Sequence, residues 1–345
     1  TSSIYDLASV TKTSATTMML MQLHEQGLLD LTKTVADYLP DTKGSNIAGL
    51  KLQDILTHQS GLPAWVPFYK KTLLADGTQD PGYYSQTKIA GYTTQVADNV
   101  YMRDDYRDTV WQIIKDINLK EKNKYVYSDL GLYISRRIAE QLTGKRLDNY
   151  VYDNFYNSLG MTTTCFNPLN LFPRTQIVPT ENDTYFRYQT VQGYVHDMGA
   201  GMMGGVEGHA GLFSNAEDLV KLYQMLLNGG TYGGERYFKE ETVNLWTKKQ
   251  SSISRRGLGF DKPDMENVSP CSGYASASTF GHQGFTGICV WADPKYDLVY
   301  IFLSNRVQPK ADPNRLSTEG IRNKIMDVIY ESVLAANVHG GAASD

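Results

Sequence analysis

Across Lys12 to Leu31, apolar residues fall at Met18, Met19, Leu20, Leu23, Leu28 and Leu29, the spacing of a helix that buries most of one side. Helical patterns also run over Leu50 to Leu56, Thr109 to Ile117, Ser128 to Leu142, Leu147 to Tyr156 and Ala216 to Leu227. Ser214-Asn215-Ala216-Glu217 reads as a capping box opening the last of these. After about residue 255 the pattern turns to strands. Gly287 to Ala292 and Leu298 to Ser304 are short β-rich runs, and Asp293-Pro294-Lys295-Tyr296-Asp297 between them predicts an antiparallel hairpin. A terminal helix is expected over Ser317 to Ala336. Residues 66 to 108 show no regular period; their tyrosines among Gly, Pro, Asp and Thr predict a long surface loop, with a lid or binding rim as the functional version. The expectation is an α+β fold in two lobes: an α/β lobe from 1–35 and 255–345, with an antiparallel β-sheet flanked by helices, and a mainly helical lobe from 36–254.

The chain has 345 residues, 41% hydrophobic and 20% charged, with a net charge of −4, ordinary values for a globular protein. No Lys or Arg block gives a footprint for nucleic acid, which excludes it as an expected partner. No run approaches the roughly 20 apolar residues of a spanning helix, so no transmembrane segment is predicted. Cys165, Cys271 and Cys289 lack metal-ligand spacing, and Cys289 reads as a buried strand residue. His196, Asp197 and His209 fit no compact zinc motif, and the glycines around them predict a tightly turned loop. No metal and no cofactor are expected.

Ser9-Val10-Thr11-Lys12 opens the first helical run. Residues three apart share a helix face, so the Ser9 hydroxyl and Lys12 amine are expected to be neighbours in the first turn, where free N–H groups stabilise an oxyanion. About one such tetrapeptide is expected by chance in a chain this long. A second, Ser85-Gln86-Thr87-Lys88, lies in irregular sequence and acts as an internal control. Tyr127-Ser128-Asp129 precedes the run LGLYISRRIAEQL, so a turn there can aim a phenol and a carboxylate into a cleft. The similar Tyr106-Arg107-Asp108 sits in the irregular stretch, and Tyr152-Asp153-Asn154 inside a helical pattern. Gly281-His282-Gln283-Gly284-Phe285 leads into the strand ICVWA. A Gly-rich edge at Gly284 lets a substrate backbone approach and leaves the Phe285 N–H as an oxyanion donor beside that of Ser9. His209-Ala210-Gly211 and His339-Gly340-Gly341 share the tripeptide; the first is expected to lead into a helix and the second to lie in the tail. His58 in LTHQSG is expected to be a hydrogen-bonded structural histidine.

In this order the motifs resemble those of the serine β-lactamase and penicillin-binding-protein superfamily, in its class C-like, D-alanyl-D-alanine carboxypeptidase-like branch. LTHQSGLP at 56–63, GHAGLFSNAEDL at 208–219 and GFTGICVWADPKYDLVYIFLSNR at 284–306 extend the resemblance over nearly the whole chain. It implies a β-lactamase/transpeptidase-like fold and an acyl-enzyme on Ser9. Lys12 and Tyr127 would be the proton-transfer pair and Asp129 the partner of the lysine and the substrate amide. His282 would contact the substrate or leaving-group side. The implied substrate is a small peptide, amide or ester, including cell-wall fragments, and the implied location periplasmic or otherwise extracytoplasmic.

Three departures carry chemical meaning. Only eight residues precede Ser9, where the family has a helix and strands; the expectation is a fragment or part of a longer polypeptide with an upstream domain. Asp129 stands where Asn is usual, so it accepts but cannot donate, and a lysine held charged by it leaves Tyr127 as the base. His282 replaces a lysine and, mostly neutral at pH 7, grips a carboxylate less strongly. Arg306, just past the last strand, is expected to be a solvated strand end. Carboxypeptidase, esterase and β-lactamase activities remain open, and the alternative from another class is a catalytically silent domain that binds cell-wall peptide or supports a fused enzyme.

Overall fold

A computed structural model describes residues 2–340, with side chains to Ala336. The segment after Ser9 folds as one continuous helix, π-helical over Lys12–Thr16 and α-helical over Thr17–Glu25. The sequence pattern predicts burial of one side; every residue from Val10 to Met21 is in fact buried. The reason lies in the threonines and serines between the methionines. Thr13 and Ser14 bond the Tyr223 hydroxyl, and Thr16 bonds the Gly208 carbonyl, so the polar face is satisfied inside the protein rather than by water. This helix therefore sits at the centre of the main core, with Met18, Met19, Leu20 and Leu23 fully buried.

The expected hairpin is present. Ile288–Asp293 and Leu298–Phe302 pair antiparallel with Asp293 opposite Leu298, and Phe280–Gly284 pairs on the other edge of Ile288–Asp293 with Gly284 opposite Ile288. Cys289 is buried in the middle strand. The terminal helix comes in two pieces, Arg315–Thr318 and Ile321–Gly340, because Gly320 turns left-handed at φ +61° between them. The longer piece packs Met326 and Tyr330 on Trp291 and Tyr300 of the sheet. The tripeptide His339-Gly340-Gly341 reaches outside the described residues.

A second, small antiparallel sheet positions the serine. Tyr5–Asp6 and Cys165–Phe166 pair on either side of Leu212–Ser214, and Leu7 donates its N–H to the Leu212 carbonyl. His209-Ala210-Gly211 thus leads first into a strand, not a helix. The helix Ala216–Leu227 follows, and its cap is Asn215, which accepts from the Asp218 N–H. Ser214 instead bonds Thr164 and Glu217 is exposed, so the expected capping box of Ser214 and Glu217 does not form.

The other helical patterns fold as Leu52–Leu56, Tyr106–Lys115, Leu130–Thr143 and Leu147–Val151, the last continuing as a π-helical turn to Tyr156. The 66–108 stretch is more ordered than its sequence predicts. Tyr84–Ser85, Val100–Met102 and Thr94–Ala97 form a three-stranded sheet, and Tyr69, Tyr84 and Tyr106 are buried. Tyr106 lies in the first turn of a helix, with its hydroxyl on the Phe68 carbonyl. Residues 36–254 therefore carry small sheets as well as helices. Among the described residues no helix is long and apolar enough to cross a membrane.

Candidate active site

Ser9 lies at the mouth of the central helix, after a turn in which Ala8 is left-handed at φ 44°. Asp6 locks that turn: one carboxylate oxygen accepts from Ala8 N at 2.8 Å and the other from His196 N at 2.6 Å. The Asp6 carbonyl also accepts from Thr286 Oγ1 at 2.7 Å, tying the Phe285 turn to the serine turn. Gly284 is needed where the two meet, since a Cβ there would sit 2.6 Å from the Leu7 carbonyl oxygen.

Lys12 is buried and its Nζ donates to Ser9 Oγ at 2.8 Å and the His209 carbonyl at 3.1 Å, while Asp129 Oδ1 lies 2.6 Å away. Burial works against the ammonium, but the Asp129 carboxylate, and after it Tyr127, more than offsets this, so the lysine holds its proton above its ordinary range. The Tyr127 hydroxyl donates to Ser9 Oγ at 2.8 Å. Burial raises its pKa, with Lys12 pulling the other way, so the phenol rests neutral. The control pair Ser85 and Lys88 forms no such arrangement: Ser85 Oγ donates to the Thr87 carbonyl at 2.7 Å.

Tyr127 is held by two histidines. The His58 ring is 4.8 Å from the phenol ring and the His282 ring 5.9 Å. His58 Nδ1 accepts from Ser128 N at 3.1 Å, fixing the turn before the Leu130–Thr143 helix. Burial, then Arg256 and Lys12, push both histidines well below their ordinary pKa, so both are neutral.

His282 does not offer a free nitrogen to the cleft, as its sequence position leads one to expect. Its Nε2 accepts from Arg256 Nη1 at 2.9 Å and its Nδ1 bonds the Gln283 carbonyl at 2.6 Å. Arg256 is the cation that sequence reading missed. It is 3% exposed, 3.2 Å from Asp261 and 5.1 Å over the Tyr127 ring. Arg306 is also no solvated strand end: it lines the cleft and donates to the Phe285 carbonyl at 2.9 Å.

The His196-Asp197 and His209 stretch lies at the site, but it is not the continuous loop its glycines predict: Met198–Met202 forms a short helix through Gly199 and Gly201, capped by Asp197, and turns follow only after it. His209 Nε2 bonds Asp197 Oδ1 at 2.8 Å, and His196 Nε2 bonds Glu181 Oε2 at 2.7 Å. Among the described residues no cluster of His, Cys, Asp or Glu is arranged to hold a metal.

Ser9, Tyr127 and Phe285 stand between two cavities. One, of about 410 Å³, extends past His282 and the arginines. The other, of about 450 Å³, is walled by Trp65, Tyr185, Met198 and Ala210, with Glu181, Asp129 and Asp197 at its edges. No residue from 66–108 lines either, so the segment is not seen as a rim over the serine.

The family model described as Beta-lactamase matches residues 1–320. The chain belongs to the beta-lactamase family. A curated relative from Escherichia coli strain K12, named "Putative D-alanyl-D-alanine carboxypeptidase", is 35% identical over 337 residues, covering 91% of this chain and 72% of the relative. One of the same name from Salmonella agona is 34% identical over 363 residues, covering 96% and 78%. Among solved structures, a penicillin-binding protein homologue from Caulobacter crescentus superimposes with a TM-score of 0.61 at 16% identity, over 88% of this chain and 78% of its own. Unliganded simvastatin synthase from Aspergillus terreus gives 0.62 at 18% identity, over 96% and 84%. This beta-lactamase-family protein is a hydrolase, with the mixed helix and antiparallel-sheet fold of those structures.

Proposed function

We propose that this hydrolase acts through an acyl-enzyme on Ser9 and cleaves D-alanyl peptides of the cell-wall type, or related amides and esters, outside the cytoplasm. The observation that carries the reading is Ser9 Oγ lying 2.8 Å from both Lys12 Nζ and Tyr127 Oη. The carboxypeptidase name of relatives at about 35% identity supports the substrate class.

With Lys12 charged and Tyr127 neutral, the phenol serves as a relay. Ser9 Oγ attacks the substrate carbonyl carbon and passes its proton to the Tyr127 oxygen, while the phenolic proton moves to the leaving nitrogen or oxygen. The O–C bond forms, the scissile bond breaks, and Tyr127 ends as it began. The Lys12 ammonium stabilises the oxygen that is losing its proton, and the Ser9 and Phe285 N–H groups take the carbonyl oxyanion. Water then adds to the ester by the reverse relay, returning a proton to Ser9 and releasing the acid. Asp129 keeps Lys12 charged, and Gly284 lets the strand edge come close enough for substrate pairing. His282 acts on the leaving-group side through Arg256.

The apolar wall of Trp65, Tyr185 and Met198 supports a second reading in which the acyl part is an ester's hydrocarbon chain. The test is labelling by a fluorescent penicillin or activated ester, lost in Ser9→Ala, followed by comparison of D-alanine release, cephalosporin hydrolysis and short-chain ester hydrolysis. Intact protein that takes no label and turns over no ester at any pH would sink the serine mechanism.

A further inference from the structure

The cavity on the His282 side of Ser9 is lined by Arg255, Arg256, Arg306 and Arg322, against Asp261 as the only carboxylate among its described lining residues. Four guanidinium charges facing one carboxylate leave an excess of three.

Asp261 is already committed. It takes Arg255 at 2.7 and 2.9 Å and stands 3.2 Å from Arg256 Nη2. Arg306 and Arg322 are held differently. Arg306 donates to the carbonyls of Phe285 at 2.9 Å and Ala311 at 2.7 Å. Arg322 donates to the Ile288 carbonyl and to Gln283 Oε1, each at 3.0 Å. Neutral oxygens fix the position of these guanidiniums without cancelling their charge. Burial and then Arg322 make Arg306 give up its proton more readily than usual, with Asp312 and Glu181 opposing, which is how mutually repelling cations behave. Such a wall is unfavourable empty and favourable once anions enter.

We propose that this cavity selects a leaving group carrying two anionic groups. A single carboxylate, as in D-alanine, leaves two cationic charges uncompensated; a second carboxylate on the same leaving group halves that remainder, and a phosphoryl group takes up most of it. The shared chemistry is a pair of anionic groups on one molecule, a dianion in that sense, either two carboxylates or one carboxylate with a phosphoryl group. The assignment of this side to the leaving group rests on the serine mechanism proposed above, whereas the dianion preference of the cavity does not.

Binding to the full chain is therefore measured by calorimetry with D-glutamate, D-phosphoserine and D-alanine. At least one dianion is expected to bind about 10-fold more tightly than D-alanine, and the better of the two identifies the source. Arg322→Gln, with Arg306→Gln as the second variant, is expected to cut that ratio to about 3-fold or less. Ser9→Ala is expected to keep the ratio, so failed acylation leaves this measurement able to decide. D-alanine binding as tightly as both dianions, or none of the three binding up to about 10 mM, overturns the proposal.

Discussion

The Lys12 amine is nearer to Asp129, at 2.6 Å, than to Ser9, at 2.8 Å. Its countercharge is thus built into the motif position where the family usually places a neutral amide. Replacing Asp129 by Asn removes the charge that offsets burial, so the Lys12 pKa is expected to fall. The pH profile of kcat/KM for a short-chain ester checks this. The wild type should show no lysine inflection below about pH 10, and Asp129→Asn should gain one at lower pH.

Tyr127 carries the proton in both halves of the proposed cycle. Tyr127→Phe keeps the ring between His58 and His282 and removes only the hydroxyl. A fall in kcat of about 10²- to 10⁴-fold is expected, with a circular-dichroism melt near that of the wild type. Turnover within a few-fold of wild type would assign the relay to another group.

Restoring the family's usual lysine at position 282 is expected to harm the protein. His282→Lys exchanges the acceptor of Arg256 for a second cation in a buried site. Lost pairing for a buried guanidinium costs about 1–3 kcal/mol. The melting temperature and ester turnover should both drop, and His282→Gln, which can still accept, should retain more of each.

The His209 and Asp197 pair gives stability a defined pH window. Burial opposes both charges, but each partner more than offsets it for the other: His209 is raised above its ordinary value and Asp197 is lowered. The histidine's contribution is full below about pH 6.5 and is lost as pH rises through its raised folded value. The aspartate's contribution is full above about pH 4 and is lost as pH falls through its lowered one. Melting temperature should therefore peak between these limits. Asp197→Asn, which can still cap the Met198–Met202 helix, should flatten the alkaline side of the curve.

What was legible in the sequence was whatever local chemistry encodes. Ser9 and Lys12 are one helical turn apart, and Tyr127 and Asp129 sit just ahead of a strongly patterned helix, so their types and spacing announce them. The hairpin is legible for the same reason, since a Pro-containing turn lies between two β-rich runs. Arg256 left no such signal. It meets His282 across 26 residues and Asp261 across a loop, and nothing in SSISRRGLGF separates it from its neighbour Arg255. The small sheet in 66–108 was hidden because its strands are two to four residues long, too short to show an alternation. The Ser214 cap failed because Ser214 is taken by Thr164, just before the Cys165 strand, a tertiary demand that outranks a local one and shifts the cap to Asn215.

Phe285 belongs to both cavities, and its ring lies between the His196 ring at 5.5 Å and the Arg306 guanidinium at 4.5 Å. One residue on a three-residue turn thus serves as a party wall. Behind it the two rooms touch at Ala311 on the Trp65 side, whose carbonyl accepts from Arg306 of the arginine side at 2.7 Å. In the proposed mechanism the acyl group and the leaving group then occupy adjoining rooms, and an exchange at Arg306 reaches both.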